Sequence, residues 1–307
     1  METVKTLDDL KPGVPSVVTV GVFDGVHLGH QRIMQTMRAV AGDLGARSVV
    51  VTFDRNPQEL VSSVGAPPYI TTLRQKLSLI AGQGIDLTVV LPLERRLVNM
   101  AADEFASRIL QEKLSAERVV VGADFAFGRG RAGDVKLLRE TGRDLGFEVT
   151  VVSPVRRAGV LVSSTVIREI LVSGEVEKAK RLLGHPFALE GKVVAGQGIG
   201  RSLGYPTANL QPAEKQIVPA SGVYAVSAKI GSTSRTAVAN IGVRPTIGGR
   251  GNSVEVHIIG FSDNIYGQEL EVVFHRRLRD EVRFPDTDAL REQIDRDVKR
   301  ALQLVKQ

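Results

Sequence analysis

The pattern of apolar residues changes once along this 307-residue chain, and this change constrains the fold more than any single motif. In the first half, short runs rich in Val, Ile and Thr alternate with stretches whose apolar residues recur at helical spacing. Strands that alternate with helices predict a parallel sheet with helices on both faces, an α/β fold of the Rossmann-like type. The predicted strands are residues 16–20, 48–53, 87–91, 118–122 and 147–152, and the predicted helices are residues 30–44, 73–81, 103–114 and 135–145.

The second half has no such alternation. A helical pattern ends at Gly184, with Pro186 just beyond, which is a strong signal for a helix end. Short β-branched runs separated by Gly and Pro then predict an all-β domain, a sandwich or small barrel, closed by one amphipathic C-terminal helix. We therefore predict two domains, residues 1–184 and 185–307. The predicted strands of the second domain are residues 187–194, 222–230, 235–241, 255–260 and 270–276.

Composition excludes several classes of function. The chain has no cysteine, which excludes disulfides, thiolate metal sites and cysteine nucleophiles. A net charge of +6 is mild, no basic run reaches five residues and only 5% of residues are aromatic, so nucleic-acid binding is not expected. The polar N-terminus is unlike a signal peptide, and no apolar stretch approaches the roughly 18 residues that span a bilayer. We expect a cytoplasmic protein that acts on small molecules, as a monomer or weak homo-oligomer.

A dense group of glycines and polar residues follows the first predicted strand. Two of the five histidines, His27 and His30, lie between this strand and the next helix. The first amides of a helix have no backbone partners, so such a turn attracts anions. We interpret the turn as a phosphate site, with the two histidines as catalytic candidates. The candidate ATP- and phosphate-binding residues of this stretch are Gly21, Phe23, Asp24, Gly25 and Gly29.

Two further loops follow predicted strands at the same edge of the sheet, residues 53–57 and 122–128. Ligands of open parallel sheets bind outside the carboxyl ends of the strands, so these loops and the histidine turn should line one crevice. Residues 128–133 match Gly-x-Gly-x-x-Gly. That pattern indicates a dinucleotide site only in a short strand-to-helix turn with an acid at the end of the next strand. Both are missing here, so we interpret these residues as a mobile, basic loop near the crevice.

A run of three hydroxyls, Ser163, Ser164 and Thr165, precedes an apolar helical pattern. One hydroxyl is explained as a helix N-cap. Three exceed that need, and Arg168 adds a guanidinium one turn later that suits phosphate. We predict a second anion site that, facing the first, would accommodate a triphosphate.

The second domain has its own glycine-rich stretch, residues 196–210. Four glycines around Arg201 give a backbone that can wrap phosphate. Thr207 and Asn209 alternate, so they would point the same way from a strand, and their oxygens suit Mg²⁺ bound with phosphate. A hairpin turn with polar tips would also account for the pattern. Glu255 lies between valines of a predicted strand, where it is either a solvated acid or a base that takes a proton from a hydroxyl.

Four motifs occur in order along the chain and together resemble the bacterial bifunctional riboflavin kinase/FMN adenylyltransferases, the prokaryotic FAD synthetases. The likeness covers nearly the whole chain, and the Pro-Thr-Ala-Asn motif is its most specific part. The motifs are Gly21-x-Phe23-Asp24-Gly25-x-His27-x-Gly29-His30, Ser163-Ser164-Thr165-x-x-Arg168, Gly200-Arg201-x-Leu203-Gly204-x-Pro206-Thr207-Ala208-Asn209 and Asn240-x-Gly242-x-Arg244-Pro245-Thr246.

The resemblance implies a flavokinase-type β-barrel in the second domain, where ATP phosphorylates the 5′-hydroxyl of riboflavin. Thr207 and Asn209 would hold Mg²⁺ and phosphate, and Glu255 matches the family's base. ATP would also contact the glycine-rich loop, at Gly198, Gly200, Arg201 and Gly204.

For the first domain the resemblance implies transfer of AMP from ATP to FMN, which gives FAD and pyrophosphate. His27 and His30 would stabilise charge on the α-phosphate, and Ser164, Thr165 and Arg168 would hold the departing phosphates. Candidate flavin contacts are Asn56, Asp124 and Arg244.

The chain departs from the family pattern at two positions. Asn56 stands where the family often has His, and Ile247 follows Arg-Pro-Thr where the family usually has Phe. The alternatives to a two-site enzyme are a chain with one decayed site, a different small-molecule adenylyltransferase and a flavin-binding sensor without turnover. Both histidines, Arg168 and Glu255 are present, which disfavours the sensor because binding alone needs no base.

Overall fold

The computed structural model describes residues 1–10, 13–196, 200, 204–246 and 249–305, with the backbone alone for residues 243–246 and 249–252. Its strands are β1 (Glu2–Val4), β2 (Ser16–Val20), β3 (Arg47–Phe53), β4 (Leu87–Leu91), β5 (Ala116–Gly122), β6 (Glu148–Val152), β7 (Arg156–Arg157), β8 (Val160–Leu161), β9 (Ala188–Val194), β10 (Ala208–Pro212), β11 (Gly222–Ile230), β12 (Thr233–Thr246), β13 (Gly249–Ile258) and β14 (Glu269–Arg279). Its α-helices are α1 (Leu28–Leu44), α2 (Gln58–Val61), α3 (Leu73–Ala81), α4 (Arg95–Val98), α5 (Ala102–Glu104), α6 (Val135–Leu145), α7 (Ser164–Val172), α8 (Val176–Leu183) and α9 (Thr287–Leu304).

The chain divides into two compact units. Unit 1 comprises Met1–Pro67 and Leu73–Val162, and unit 2 comprises Pro68–Thr72 and Ser163–Gln307. The boundary predicted at Gly184 lies at the end of α8, whereas this division groups α7 and α8 with the strands that follow them. Gly174, with φ of 80°, separates the two helices.

Unit 1 contains a six-stranded parallel sheet in the order β1-β4-β3-β2-β5-β6. The predicted Rossmann-like sheet is confirmed. Every residue of β2 and β4 is buried, as expected of central strands covered on both faces. The chain runs outward from β2 through β3 to β4 and then returns to the other side of β2 as β5. Such a reversal opens a crevice at the carboxyl ends of β2 and β5, where ligands of this fold class bind.

Two of the glycines in residues 128–133 have a packing role. A Cβ at Gly128 or Gly133 would come within 2.8 Å of Ala102, which is closer than carbon atoms approach. Phe127 and Gly133 exchange two backbone hydrogen bonds of 2.9 Å. These bonds close the base of the loop, and its mobility stays a prediction. Ala102 begins α5, which continues as a π-helix over Phe105–Lys113 where the sequence predicted one regular helix.

Unit 2 contains a closed barrel in the order β10-β13-β12-β11-β14-β9, with antiparallel neighbours throughout. The predicted all-β domain with a closing helix is confirmed. Helix α9 packs Ala301 and Val305 against barrel residues such as Val223 and Leu278. Asp297 of this helix is 5% exposed and forms an ion pair of 2.9 Å with Arg279.

A five-residue segment from early in the chain, Pro68–Thr72, belongs to unit 2, and we call it the strap. Tyr69 donates its amide to the Lys215 carbonyl and accepts from the Ile217 amide, both at 2.8 Å. The buried Gln216 side chain donates to the Ile70 carbonyl at 3.3 Å, and Thr72 donates to the buried Glu190. The strap thus adds hydrogen bonds to two buried side chains of unit 2, Gln216 and Glu190.

Candidate functional site

The turn between β2 and α1 has strained backbone. Phe23 and Val26 have φ of 51° and 38°, in the left-handed region that side chains other than glycine disfavour. Both side chains are buried, at 3% and 0% exposure, so packing holds them in place. Gly21 is required because a Cβ there would lie 2.8 Å from Cζ of Phe23. Strain of this kind persists only where the surrounding structure fixes it, and it is concentrated at functional sites.

The two predicted catalytic histidines lie side by side at the start of α1. His27 is the N-cap, and its Nδ1 accepts from the His30 amide at 3.3 Å. Their rings stack with centroids 3.6 Å apart, and Phe23 meets His30 edge-on at 5.1 Å. A Cβ at Gly29 would come within 3.1 Å of the His27 ring, so glycine leaves room for this stack. Asp24 and Gly25 complete the turn, with Asp24 4% exposed and Gly25 at φ of 79°.

His30 is neutral at physiological pH in this geometry. Burial lowers its pKa well below the usual value, and the neighbouring charges of His27 and Lys76 lower it further. Its Nδ1 is buried and has no hydrogen-bond partner in the described part of the chain. A buried polar atom without a hydrogen-bond partner destabilises the fold, so we infer that this nitrogen forms a hydrogen bond with a ligand.

Lys76 is a residue of this region that sequence reasoning missed. It lies on α3, is 6% exposed, and its ammonium donates to the Val22 carbonyl at 3.2 Å, the Thr52 hydroxyl at 3.1 Å and the Phe53 carbonyl at 2.8 Å. Burial lowers its pKa to about 8, against the opposing effects of Asp24 and Asp54. The sequence held a usable signal: position 76 falls four residues before the buried Ile80, on the core-facing stripe of the predicted helix.

Asn56 and Asp124 lie in loops after β3 and β5, the two strands that flank β2. Asn56 is 7% exposed, and its Oδ1 accepts from the Gln58 amide at 3.0 Å, which stabilises the start of α2. Asp124 is exposed. Both loops leave the same edge of the sheet as the histidine turn, as predicted. Flavin contact at either residue stays a prediction.

The run of hydroxyls starts α7. Ser163 is its N-cap and accepts from the Val166 amide at 3.3 Å, so the capping role applies to this residue. Ser164 is half-buried and Thr165 is exposed. Arg168 donates through Nε to the Pro68 carbonyl of the strap at 2.8 Å. Phosphate binding by Ser163, Ser164, Thr165 and Arg168 stays a prediction.

The barrel brings the predicted kinase residues together on adjacent strands. Asn209 of β10 and Glu255 of β13 are direct cross-strand partners, and Thr207 donates to the Glu255 carboxylate at 3.5 Å. On the other side of β13, Asn240 of β12 also lies opposite Glu255. Directly opposite residues share a face, so one carboxylate is flanked by two amides. Asn240 was part of a motif, but its place beside Glu255 depends on strand pairing, which the sequence does not show.

The start of β10 is supported by its neighbours. His257 meets the Pro206 carbonyl through Nδ1 at 2.9 Å, and Tyr205 donates to Asp295 of α9. A side chain at Gly196 would collide with the Asn209 amide, and one at Gly200 with the Tyr205 carbonyl. Gly204 has φ of 88°. The predicted phosphate contacts Gly198 and Arg201, and Ile247, lie outside the described residues, as does the side chain of Arg244.

A cavity of about 240 Å³ opens beside Thr207. Val193, Val256 and Ile258 form apolar wall, and the segment Phe261–Tyr266 closes one side. An apolar cleft with a few polar groups at one end is typical of a site for a small organic ligand.

The side-chain oxygens of Thr207 and Asn209 fit Mg²⁺ as donors. This ion takes one or two protein oxygens, keeps waters and binds phosphate oxygens in its remaining positions. Within the described residues, no group of three or more His, Cys, Asp or Glu side chains could hold a metal ion by itself. Any magnesium here would therefore be bound jointly by the protein and a phosphate.

Comparison with known proteins assigns a family to each half of the chain. A family model described as FAD synthetase matches residues 11–166, and one described as riboflavin kinase matches residues 183–305. The first match contains the histidine turn, and the second contains Thr207, Asn209 and Glu255. Fold and sites together define a two-site transferase that acts on small molecules.

Curated relatives extend this result over the whole chain. The bifunctional riboflavin kinase/FMN adenylyltransferase of Pseudomonas fluorescens is 42% identical over 300 residues, covering 97% of this chain and 96% of the relative. That of Escherichia coli K12 is 39% identical over 282 residues, covering 92% and 90%. The chain belongs to the bifunctional riboflavin kinase/FMN adenylyltransferase family. The resemblance and the predicted pair of enzymatic activities are confirmed.

A solved structure has the same fold. A crystal structure titled as a macrolide-efflux protein from Streptococcus pneumoniae is 29% identical, covers 99% of both chains and has a TM-score of 0.87. Among the described residues of the present chain, no helix has both the length and the apolar character needed to cross a membrane.

Proposed function

We propose that unit 2 transfers the γ-phosphoryl group of ATP to riboflavin and that unit 1 transfers AMP from a second ATP to the FMN formed. The observation that carries this proposal is that each family match contains its own cluster of buried or half-buried polar residues. In unit 1 the cluster lies at the end of β2, and in unit 2 it includes Thr207, which lines the cavity.

In unit 2, the Glu255 carboxylate takes the proton from the 5′-hydroxyl of riboflavin as this oxygen attacks the γ-phosphorus of ATP. The bond to the β-phosphate oxygen breaks, and ADP leaves. Asn209 and Asn240 are the cross-strand neighbours of Glu255 on either side, so their side chains lie on the same face as the carboxylate. Mg²⁺, when bound by Thr207 and Asn209, would neutralise the phosphate charge. The cavity beside Thr207 has the apolar wall that suits the nucleoside of ATP.

In unit 1, a phosphate oxygen of FMN attacks the α-phosphorus of ATP, and the bond to the β-phosphate breaks to release pyrophosphate. No protein nucleophile is required because the substrate supplies it. The positive end of the α1 dipole and the two histidines would face the α-phosphate, where negative charge grows. Nδ1 of His30, which has no hydrogen-bond partner among the described residues, supports a direct role. It can form a hydrogen bond with a phosphate oxygen of the substrate.

One assay tests both halves. The protein is incubated with riboflavin, ATP and Mg²⁺, and the flavins are resolved by chromatography over time. We expect FMN first and FAD afterwards, with neither formed when ATP or Mg²⁺ is omitted. FMN that never becomes FAD would mean a decayed first site. Riboflavin that stays bound and unchanged would indicate the sensor.

The cytoplasmic location and the monomeric or weakly associating state remain predictions. Sedimentation of the purified protein tests the second. A species at the mass of one chain, 33.1 kDa, alone or in weak equilibrium with a larger species, is the expected result.

A further inference from the structure

Lys76 is a buried cation whose described hydrogen bonds all end on neutral oxygens of the unit 1 site. Val22 belongs to the strained turn after β2, whereas Thr52 and Phe53 end β3. One ammonium group therefore joins the ends of two adjacent strands. Thr52 also donates to the Val22 carbonyl, at 3.2 Å, so this single carbonyl receives two donors.

A lysine at this buried position is energetically unfavourable. Burial of an ammonium without an ion pair is costly, and an apolar side chain would fill a core-facing position of α3 at lower cost. Asp24 and Asp54 favour the charged form from a distance, but burial outweighs them. The cost is explained if the ammonium performs a task that an apolar side chain cannot perform.

The backbone that the ammonium contacts indicates what this task is. Val22 directly precedes Phe23, and Phe23 and Val26 are the non-glycine residues of this turn with left-handed φ. Such a turn relaxes unless several contacts fix it. The Gln31 side chain holds the other end by donating to the Val26 carbonyl at 2.8 Å. Lys76 and Gln31 therefore bracket the turn that presents His27 and His30.

We propose that Lys76 is a positioning residue for adenylyl transfer, which fixes the turn from Val22 to Val26 against β3 so that His27 and His30 meet the nucleotide. This inference rests on the proposed function of unit 1. The charge of Lys76 has a second effect, because it lowers the pKa of His30 and so helps to keep this histidine neutral until a phosphate binds.

This role of Lys76 predicts that FAD formation depends on pH in a way that riboflavin phosphorylation does not. The titratable groups that face Lys76 are Asp24, Asp54 and His30, with His27 beside His30. The pKa of Lys76 is about 8, so above this pH its amine keeps two N–H groups for three acceptors. FAD formation from added FMN should therefore fall above about pH 8, whereas riboflavin phosphorylation should not fall in step with it.

The test uses the full chain with Lys76→Met, Lys76→Gln and, as a matched control in the same unit, Lys113→Met. Lys113 forms an exposed ion pair of 2.9 Å with Asp8, so its loss should leave both activities unchanged. For Lys76→Met we expect kcat for FAD formation to fall about 10²-fold while KM for ATP and FMN changes less than about threefold. Lys76→Gln retains two donors and should recover part of the rate.

Two further readouts separate positioning from a merely structural role. The melting temperature of Lys76→Met should stay within ~3 °C of the wild type. The residual FAD formation of this variant should also lack the fall above about pH 8. Wild-type kcat in Lys76→Met, a change confined to KM, or a rate loss matched by unfolding of unit 1 would each overturn the proposal. A wild-type protein that makes FMN but no FAD would instead contradict the proposed function of unit 1.

Discussion

The turn between β2 and α1 and the ladder of β10, β13 and β12 both carry predicted site residues, but the backbone beneath them differs. The turn contains two non-glycine residues with left-handed φ and a stacked pair of histidines, and a buried lysine of α3 contacts it. In the ladder, Asn209, Glu255 and Asn240 occupy regular cross-strand positions of a closed barrel. One site depends on local strain and the other on strand register.

The difference sets how each site should respond to mutation. Each strained residue costs on the order of 1–3 kcal/mol, so the turn keeps its shape only while its supports remain. A side chain in a barrel ladder can be replaced while the backbone hydrogen bonds persist. We therefore expect substitutions in the ladder to act on chemistry alone, and substitutions around the turn to act also through geometry.

The largest expected effect is that of Glu255→Gln on riboflavin phosphorylation. Loss of a general base should lower kcat by about 10²- to 10⁴-fold, whereas adenylylation of added FMN stays at the wild-type rate. Both rates are measured by chromatography of the flavins. Glu214→Gln, an exposed residue of the same unit, is the matched control. A comparable loss of FAD formation from added FMN would contradict separate sites.

Replacement of His30 by alanine is the corresponding test of the turn, and here FAD formation rather than FMN formation should fall. Removal of one group that stabilises transition-state charge should slow FAD formation by about 10²- to 10³-fold and leave FMN formation unchanged. The assay supplies FMN and ATP directly. Kinase activity in the same preparation serves as the control, and normal FAD formation by this variant would refute the assigned role.

Asn240→Ala sharpens the description of the ladder. The variant removes one of the two amides beside Glu255, and we expect kcat for riboflavin phosphorylation to fall about tenfold, equivalent to about 1.4 kcal/mol. Because β12 keeps its backbone pairing with β13, the melting temperature should not change by more than a few degrees. An unchanged kcat would show that Asn240 does not act on Glu255.

The smallest expected effect is that of Gly29→Ala. The new methyl group would lie 3.1 Å from the His27 ring, so the ring must shift by a few tenths of an ångström. We expect FAD formation to slow about two- to fivefold with stability changed by less than about 1 kcal/mol. Stopped-time assays measure the rate of FAD formation, and thermal unfolding measures the change in stability. A loss larger than that of His30→Ala would mean that Gly29 has a direct role.

The fold was predictable from the sequence because its signals are local. The runs at residues 87–91 and 222–230 match β4 and β11 residue for residue, and α3 and α6 begin and end as predicted. β1 was missed because three residues at a sheet edge carry little periodicity. The site was predictable as far as motifs extend along the chain, which covers His27, His30, Thr207, Asn209 and Glu255.

The missed residues act across elements. Lys76 reaches the histidine turn from α3, and Asn240 meets Glu255 through strand register. Neither partner is close in sequence, so only the three-dimensional structure reveals the pairing. The Gly-x-Gly-x-x-Gly pattern gives the converse case, in which the match was real but its cause is close packing on Ala102.

The strap makes the barrel unit discontinuous in the gene. Any recombination event that exchanged the coding region after α8 between two relatives would carry all six barrel strands but leave Pro68–Thr72 behind. The imported barrel would then pair residues 215–217 with a foreign segment. The two units are thus expected to be inherited together, even though a separate family model matches each half of the chain.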